Sequence, residues 1–138
     1  AHYHSIGYGH LYQGRYKSFP VEDDTHLLTV LKYVERNPVR AKLSKRCEEW
    51  HWGSAWLRTQ PPELRNRFLD DPPVELPKNV LGWINTDEKE EMVEQLRNSV
   101  RRGTPFGTDA WVEKMIKKHE LISTVRKPGR PTIQTSSK

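Results

Sequence analysis

"VEDDTHLLTVLKYVERNPVRAKL" occupies residues 21–43, and its reading decides what the rest of the chain can be. Asp23 or Asp24 can cap a helix, because an acidic side chain there accepts from free N–H groups and complements the helix dipole. Leu27, Val30, Leu31 and Val34 recur at i, i+3, i+4 and i+7, the spacing of one buried stripe. His26, Tyr33 and Asn37 lie at the edge of that stripe, within about 40° of one another at about 100° per residue. Pro38 disfavours the α conformation at Asn37, so the helix is expected to end or kink with Asn37 near its terminus. From spacing alone, Tyr33 reads as packing with a wet hydroxyl and Asn-Pro as a stop signal.

The whole chain limits the size of the structure around this helix. It has 138 residues, of which 34% are hydrophobic and 30% charged, with 10 prolines. That is enough for one small domain with an appendage and a modest core. No apolar run approaches the ~18 residues of a membrane span, and no signal peptide is present, so no membrane partner is expected. The lone Cys47 cannot form an internal disulfide or a cysteine-rich metal site, which suits a reducing cytoplasm. Charge is unevenly divided, with 8 Lys/Arg against 6 Asp/Glu in residues 1–57, 5 against 9 in 58–94, and 10 against 3 in 95–138. A basic C-terminal part is the footprint of a phosphate-binding appendage, although cationic tails can also be merely solvated.

On the N-terminal side, "GHLYQGRYKSFPV" (9–21) alternates like a strand that stops at Pro20. Arg15 and Lys17 share one face, which suits single-stranded nucleic acid if aromatic rings stack on bases, or equally a charged edge strand that resists aggregation. On the C-terminal side, "EEWHWGSAW" (48–56) supplies three tryptophans. Core packing is the favoured reading, since base stacking needs exposed rings. Residues 58–85 are acidic and proline-rich, the pattern of a linker with a short helix near Leu64–Leu69. Asn85, three residues before Glu88, can start a helix bearing Met92, Val93, Leu96 and Val100 that ends at Gly103. A second helix from about Asp109 to Glu120 would turn Trp111, Val112, Met115 and Ile116 inward and Lys114, Lys117 and Lys118 outward. Residues 86–122 thus read as a helical hairpin, with half a helix-turn-helix as the sharper alternative.

The basic tail, residues 123–138, contains "RKPGRPT". A Gly129-Arg130-Pro131 core flanked by Arg126 and Lys127 can lie extended in the narrow minor groove of A·T-rich DNA, and so resembles an AT-hook; the same string also arises in basic disordered tails.

Taken together, "GHLYQGRYKSFPVEDDTHLLTVLKYVERNPVRAKL" and "EEWHWGSAW" resemble the single-tyrosine HUH transposases of the REP-associated branch, bacterial enzymes that nick and rejoin single-stranded DNA. The resemblance covers residues 1 to about 57, and "RRGTPFGTDAWV" with the "GRP" tail is similar to the C-terminal extension of some members. It implies that Tyr33 is the nucleophile and that Asn37 helps hold a divalent metal, Mg²⁺ or Mn²⁺. It also implies that the partner is DNA, a single-stranded hairpin. Chemistry through a 5′-phosphotyrosine conserves the bond energy, so rejoining needs no ATP.

The chain departs from the family at the metal. The family's His-hydrophobic-His strand precedes everything seen here; His2 and His4 mimic its spacing but stand at the extreme terminus without apolar flanks. The expected class is therefore α+β: the last strand and nucleophile helix of a ferredoxin-like catalytic domain in residues 1–57, then a mainly helical extension and a disordered basic tail. On this reading the chain is a fragment or a truncated frame, and by itself it would form no covalent adduct. A lone strand cannot satisfy its edges, so residues 1–57 in isolation are expected to be marginal or to pair with another chain, a homodimer being one option. The alternative is a catalytically inactive DNA-binding remnant, and a third option is an unrelated helical interaction domain.

Overall fold

The computed structural model describes residues 18–125. Arg15, Lys17, Arg126, Lys127, Gly129, Arg130 and Pro131 lie outside these residues, as do His2, His4 and nearly all of the expected strand. Eight helices follow in order: α1 (Asp24–Glu35), α2 (Asn37–Arg40), α3 (Ser54–Leu57), α4 (Pro62–Phe68), α5 (Val80–Ile84), α6 (Glu90–Arg102), α7 (Asp109–Lys118) and α8 (Ile122–Val125). A single 3-10 turn, Cys47–Glu49, precedes α3.

The expected α+β class is corrected by this architecture. Among the described residues no strand forms, and extended pairing is confined to one isolated parallel bridge between Val21 and Phe106. The reason is local. Phe106 N–H donates to the Pro20 carbonyl (2.9 Å) and Glu22 N–H to the Phe106 carbonyl (3.0 Å). Pro20 has no N–H to extend the ladder on one side, and Asp23 turns the chain into α1 on the other.

Asp23 caps α1 through the His26 N–H (2.9 Å). The helix stops at Glu35, and the chain restarts with Pro38 in the first turn of α2, where a missing N–H costs nothing. The apolar stripe of α1 is less covered than its spacing predicts. None of its residues is fully buried, and Val34 is 54% exposed.

The core lies elsewhere and is small. In one cluster Cys47, Ala55 and Ile84 are buried, with Val39, Val80, Leu81 and Trp83 packed against them. The segment expected to be a linker thus contributes α5 and its fully buried Ile84 to the core. Asn85 does not start a helix either. It closes α5, and its side chain accepts from Cys47 N–H (3.0 Å) and donates to Glu48 (2.7 Å) and to the Leu81 carbonyl (2.8 Å). Val93, Leu96 and Ser99 of α6, together with Val74, Pro105 and Phe106, are also buried. Gly103 ends α6 at φ 74°, as its glycine predicts. Gly107 is required by close approach: a Cβ there would lie 2.6 Å from Glu22 Oε2 and 2.8 Å from Trp111 Cε3.

Candidate active site

Tyr33 and Asn37 come together through a third residue, Arg40. The Arg40 guanidinium stacks on the Tyr33 ring, 3.9 Å from its centroid. Its Nη2 donates to the Tyr33 main-chain carbonyl and to Asn37 Oδ1 (2.7 Å), and its Nη1 donates to Glu88 Oε2 (2.6 Å). The spacing explains the geometry. Arg40 stands three residues after Asn37 on α2 and seven after Tyr33, two helical turns further along the same face. Tyr33 is half-buried and Asn37 exposed.

A second cation reaches the same phenol from α6. Arg97 lies within electrostatic reach of the Tyr33 phenol and pairs with Glu90 (3.4 Å) and Glu94 (3.5 Å). Partial desolvation disfavours its charge, but the carboxylates and the phenol outweigh this and hold Arg97 above its ordinary value. Two guanidiniums therefore converge on one tyrosine. Such forks match phosphate oxygens in bidentate geometry.

Arg36 locks this end of α1 to the chain after α5. Its Nη1 donates to the carbonyls of Ile84 (3.1 Å) and Thr86 (2.8 Å), Nη2 pairs with Asp87 (3.1 Å), and Nε lies 3.1 Å from Glu88 Oε2. Glu88 thus serves both Arg36 and Arg40. Lys32 joins the same strip by donating to Thr86 Oγ1 (2.6 Å); burial beside Trp83 pushes its amine below the usual lysine range. Glu35 finishes the arrangement by capping α3, accepting from Ser54 Oγ (2.6 Å) and Ala55 N–H (3.0 Å).

The residues around Asn37 do not fit a divalent metal. Its Oδ1 already accepts from Arg40, which puts a positive charge where the ion would have to stand. The described residues do offer another group, Glu22, Asp23 and His26, with ligand atoms within 4.8 Å of one another. Those atoms are committed, however. Glu22 accepts from Thr108 N–H (2.6 Å) and Thr108 Oγ1 (3.1 Å), and Asp23 Oδ1 accepts from His26 N–H and pairs with His26 Nδ1 (2.8 Å). This is a helix cap tied to the loop before α7.

Sequence reasoning named Tyr33 and Asn37 as candidates, and the structure brings them together through Arg40, which that reasoning had not singled out, nor Arg97 and Glu88. The "NPVR" spacing carried a signal for Arg40. Nothing local could have paired Tyr33 with a residue of α6, which was read as part of a separate hairpin.

Among the described residues no helix is long and apolar enough to cross a membrane. No protein-family model, curated protein or solved structure matches the chain.

Proposed function

We propose that this chain carries the nucleophilic tyrosine of a single-tyrosine DNA strand transferase, a cytoplasmic transposase acting on single-stranded DNA. The observation that carries the reading is the Arg40 guanidinium stacked on the Tyr33 ring while it binds the Asn37 amide, with Arg97 within electrostatic reach of the phenol, which supports the resemblance drawn from residues 9–56. The Tyr33 oxygen would attack phosphorus, forming the phosphotyrosyl bond as the bond from phosphorus to the 3′ oxygen breaks. The leaving oxygen takes a proton to become a 3′-hydroxyl, and attack by a 3′-hydroxyl reverses the step. Arg40 and Arg97 are suited to neutralise charge that builds on the non-bridging oxygens. Asn37 acts through Arg40 by holding its guanidinium over the ring. No step is routed through Mg²⁺ or Mn²⁺, because the site at Asn37 does not fit one.

The test is a denaturing gel of labelled single-stranded hairpin DNA incubated with Mn²⁺ and the product of the whole open reading frame that encodes the chain. A shifted band that disappears in Tyr33→Phe supports the reading. A band that persists in that variant contradicts it.

One observation favours a second reading, a DNA-binding protein without strand transfer: the Asn37 amide is engaged by a cation instead of being open to one. DNA affinity without any adduct would select it. In both readings Arg15, Lys17 and the 126–131 segment contact phosphates. Removing residues 126–138 then weakens a salt-sensitive, non-specific affinity on the order of 10⁻⁴–10⁻⁶ M.

A further inference from the structure

The three tryptophans of "EEWHWGSAW" have different fates. Trp50 and Trp56 are half-buried, and Trp56 packs on His51 with ring centroids 5.3 Å apart. Trp52 is 87% exposed. The cause is a turn closed by Gly53 N–H donating to the Trp50 carbonyl (3.0 Å), which leaves His51 and Trp52 at its tip. A ring that could bury about 150–250 Å² is instead displayed to water.

Its surroundings define what it can take. Trp52 forms one wall of a cleft of about 240 Å³ that also contains Val34, Asn37, Pro38 and Trp50. The cleft therefore opens beside the amide that holds Arg40. The chain from Arg40 to Arg46 contains four cations and no acidic residue. Arg40 and Arg46 pair with Glu88 and Glu48, whereas Lys42 and Lys45 are exposed and make no ion pair among the described residues. Glu35, which also lines the cleft, is engaged by Ser54, Ala55 and Arg58. A flat, uncovered ring with uncompensated lysines just before it in the chain is complementary to a base attached to a phosphate backbone.

We propose that Trp52 is a stacking platform for a nucleobase of single-stranded DNA, placing the strand beside Tyr33. This rests on the reading of Tyr33 as the attacking group only for the strand's direction of travel. The test is chosen to be independent of it.

The test uses Tyr33→Phe protein, so no covalent product forms, and measures anisotropy of two labelled probes at one salt concentration. One probe is oligothymidylate and the other an abasic strand of equal length, with the same phosphates and no bases. Protein with Trp52 intact is expected to bind the thymidylate about 5- to 100-fold tighter. Trp52→Ala is expected to remove most of that gap with abasic affinity unchanged, and Trp52→Phe to keep most of it. An unchanged gap in Trp52→Ala overturns the proposal, as does the absence of any gap with Trp52 present. A Trp52-dependent dimer on sedimentation, with base discrimination unaffected by Trp52→Ala, would show that a second copy covers the ring and also overturns it. An intact gap together with an adduct that persists in Tyr33→Phe, or with no adduct from the unsubstituted protein, would remove the Tyr33 reading alone.

Discussion

The two ends of α1 are held by opposite chemistry. At the N-terminal end an apolar plug dominates: Phe106 is fully buried, meets His26 edge-on at 5.5 Å, and is hydrogen-bonded through its own backbone to Pro20 and Glu22. At the C-terminal end a knot of charges lies against the cluster around Ile84. Arg36 and Arg40 share Glu88, and Arg36 collects two carbonyls besides. The difference teaches where the chain can tolerate change. A plug fails in proportion to the volume lost, whereas a charge knot fails when one member leaves the others unpaired and buried.

The largest expected effect follows from that asymmetry. Arg36→Ala leaves two carbonyls without their donor and Glu88 with Arg40 alone, and is expected to cost about 2–4 kcal/mol in denaturant unfolding. A loss below about 1 kcal/mol would mean that the knot is decorative. Phe106→Leu sharpens the contrast at the other end. It keeps most of the plug's volume and is expected to cost about 1–2 kcal/mol, and its effect should add to that of an Arg36 variant because the two ends share no partner. An interaction energy well above about 0.5 kcal/mol between them would show that α1 transmits strain from end to end.

Acid provides the smallest and most diagnostic effect. The His26 N–H holds the Asp23 carboxyl below its ordinary 3.8. Partial burial pushes Glu48 up, but the Asn85 amide and Arg46 more than offset this and leave it below 4.5. Both groups bind protons more weakly in the folded state. Each therefore contributes stability that is present above its unfolded value and lost as pH falls through its folded one. The unfolding midpoint is expected to decline between about pH 5 and pH 2, less steeply in Asp23→Asn. An equal slope in that variant would remove Asp23 from the account.

How much of this was legible in the sequence depended on range. Asp23, Pro38 and Gly103 were read correctly because caps and stops are decided within a turn or two of backbone. Asn85 was misread because its amide has three partners that no window reveals, two of them at Cys47 and Glu48. Val34 fits a helical stripe, yet it stays 54% exposed, since periodicity describes a face without supplying its partner. At the candidate site, Tyr33 and Asn37 were accessible through the "YVERNP" spacing and the resemblance. Arg97 was not, because it meets Tyr33 only once α6 has folded back on α1. The α+β expectation failed for the same reason: alternation shows what could pair, and among the described residues extended pairing is confined to Val21 and a single residue of a loop.

The claim on which the functional account stands is that Tyr33, under the Arg40 guanidinium, is the nucleophile in strand transfer. The direct measurement is mass spectrometry of the product of the whole reading frame after incubation with single-stranded hairpin DNA and Mn²⁺, followed by nuclease and trypsin digestion. Cleavage after Lys32 and Arg36 releases the peptide Tyr33–Arg36. The account predicts a 5′-phosphonucleotide on that peptide, attached to the tyrosine and absent in Tyr33→Phe. A nucleotide attached to any other residue, with Tyr33–Arg36 recovered unmodified, would contradict it.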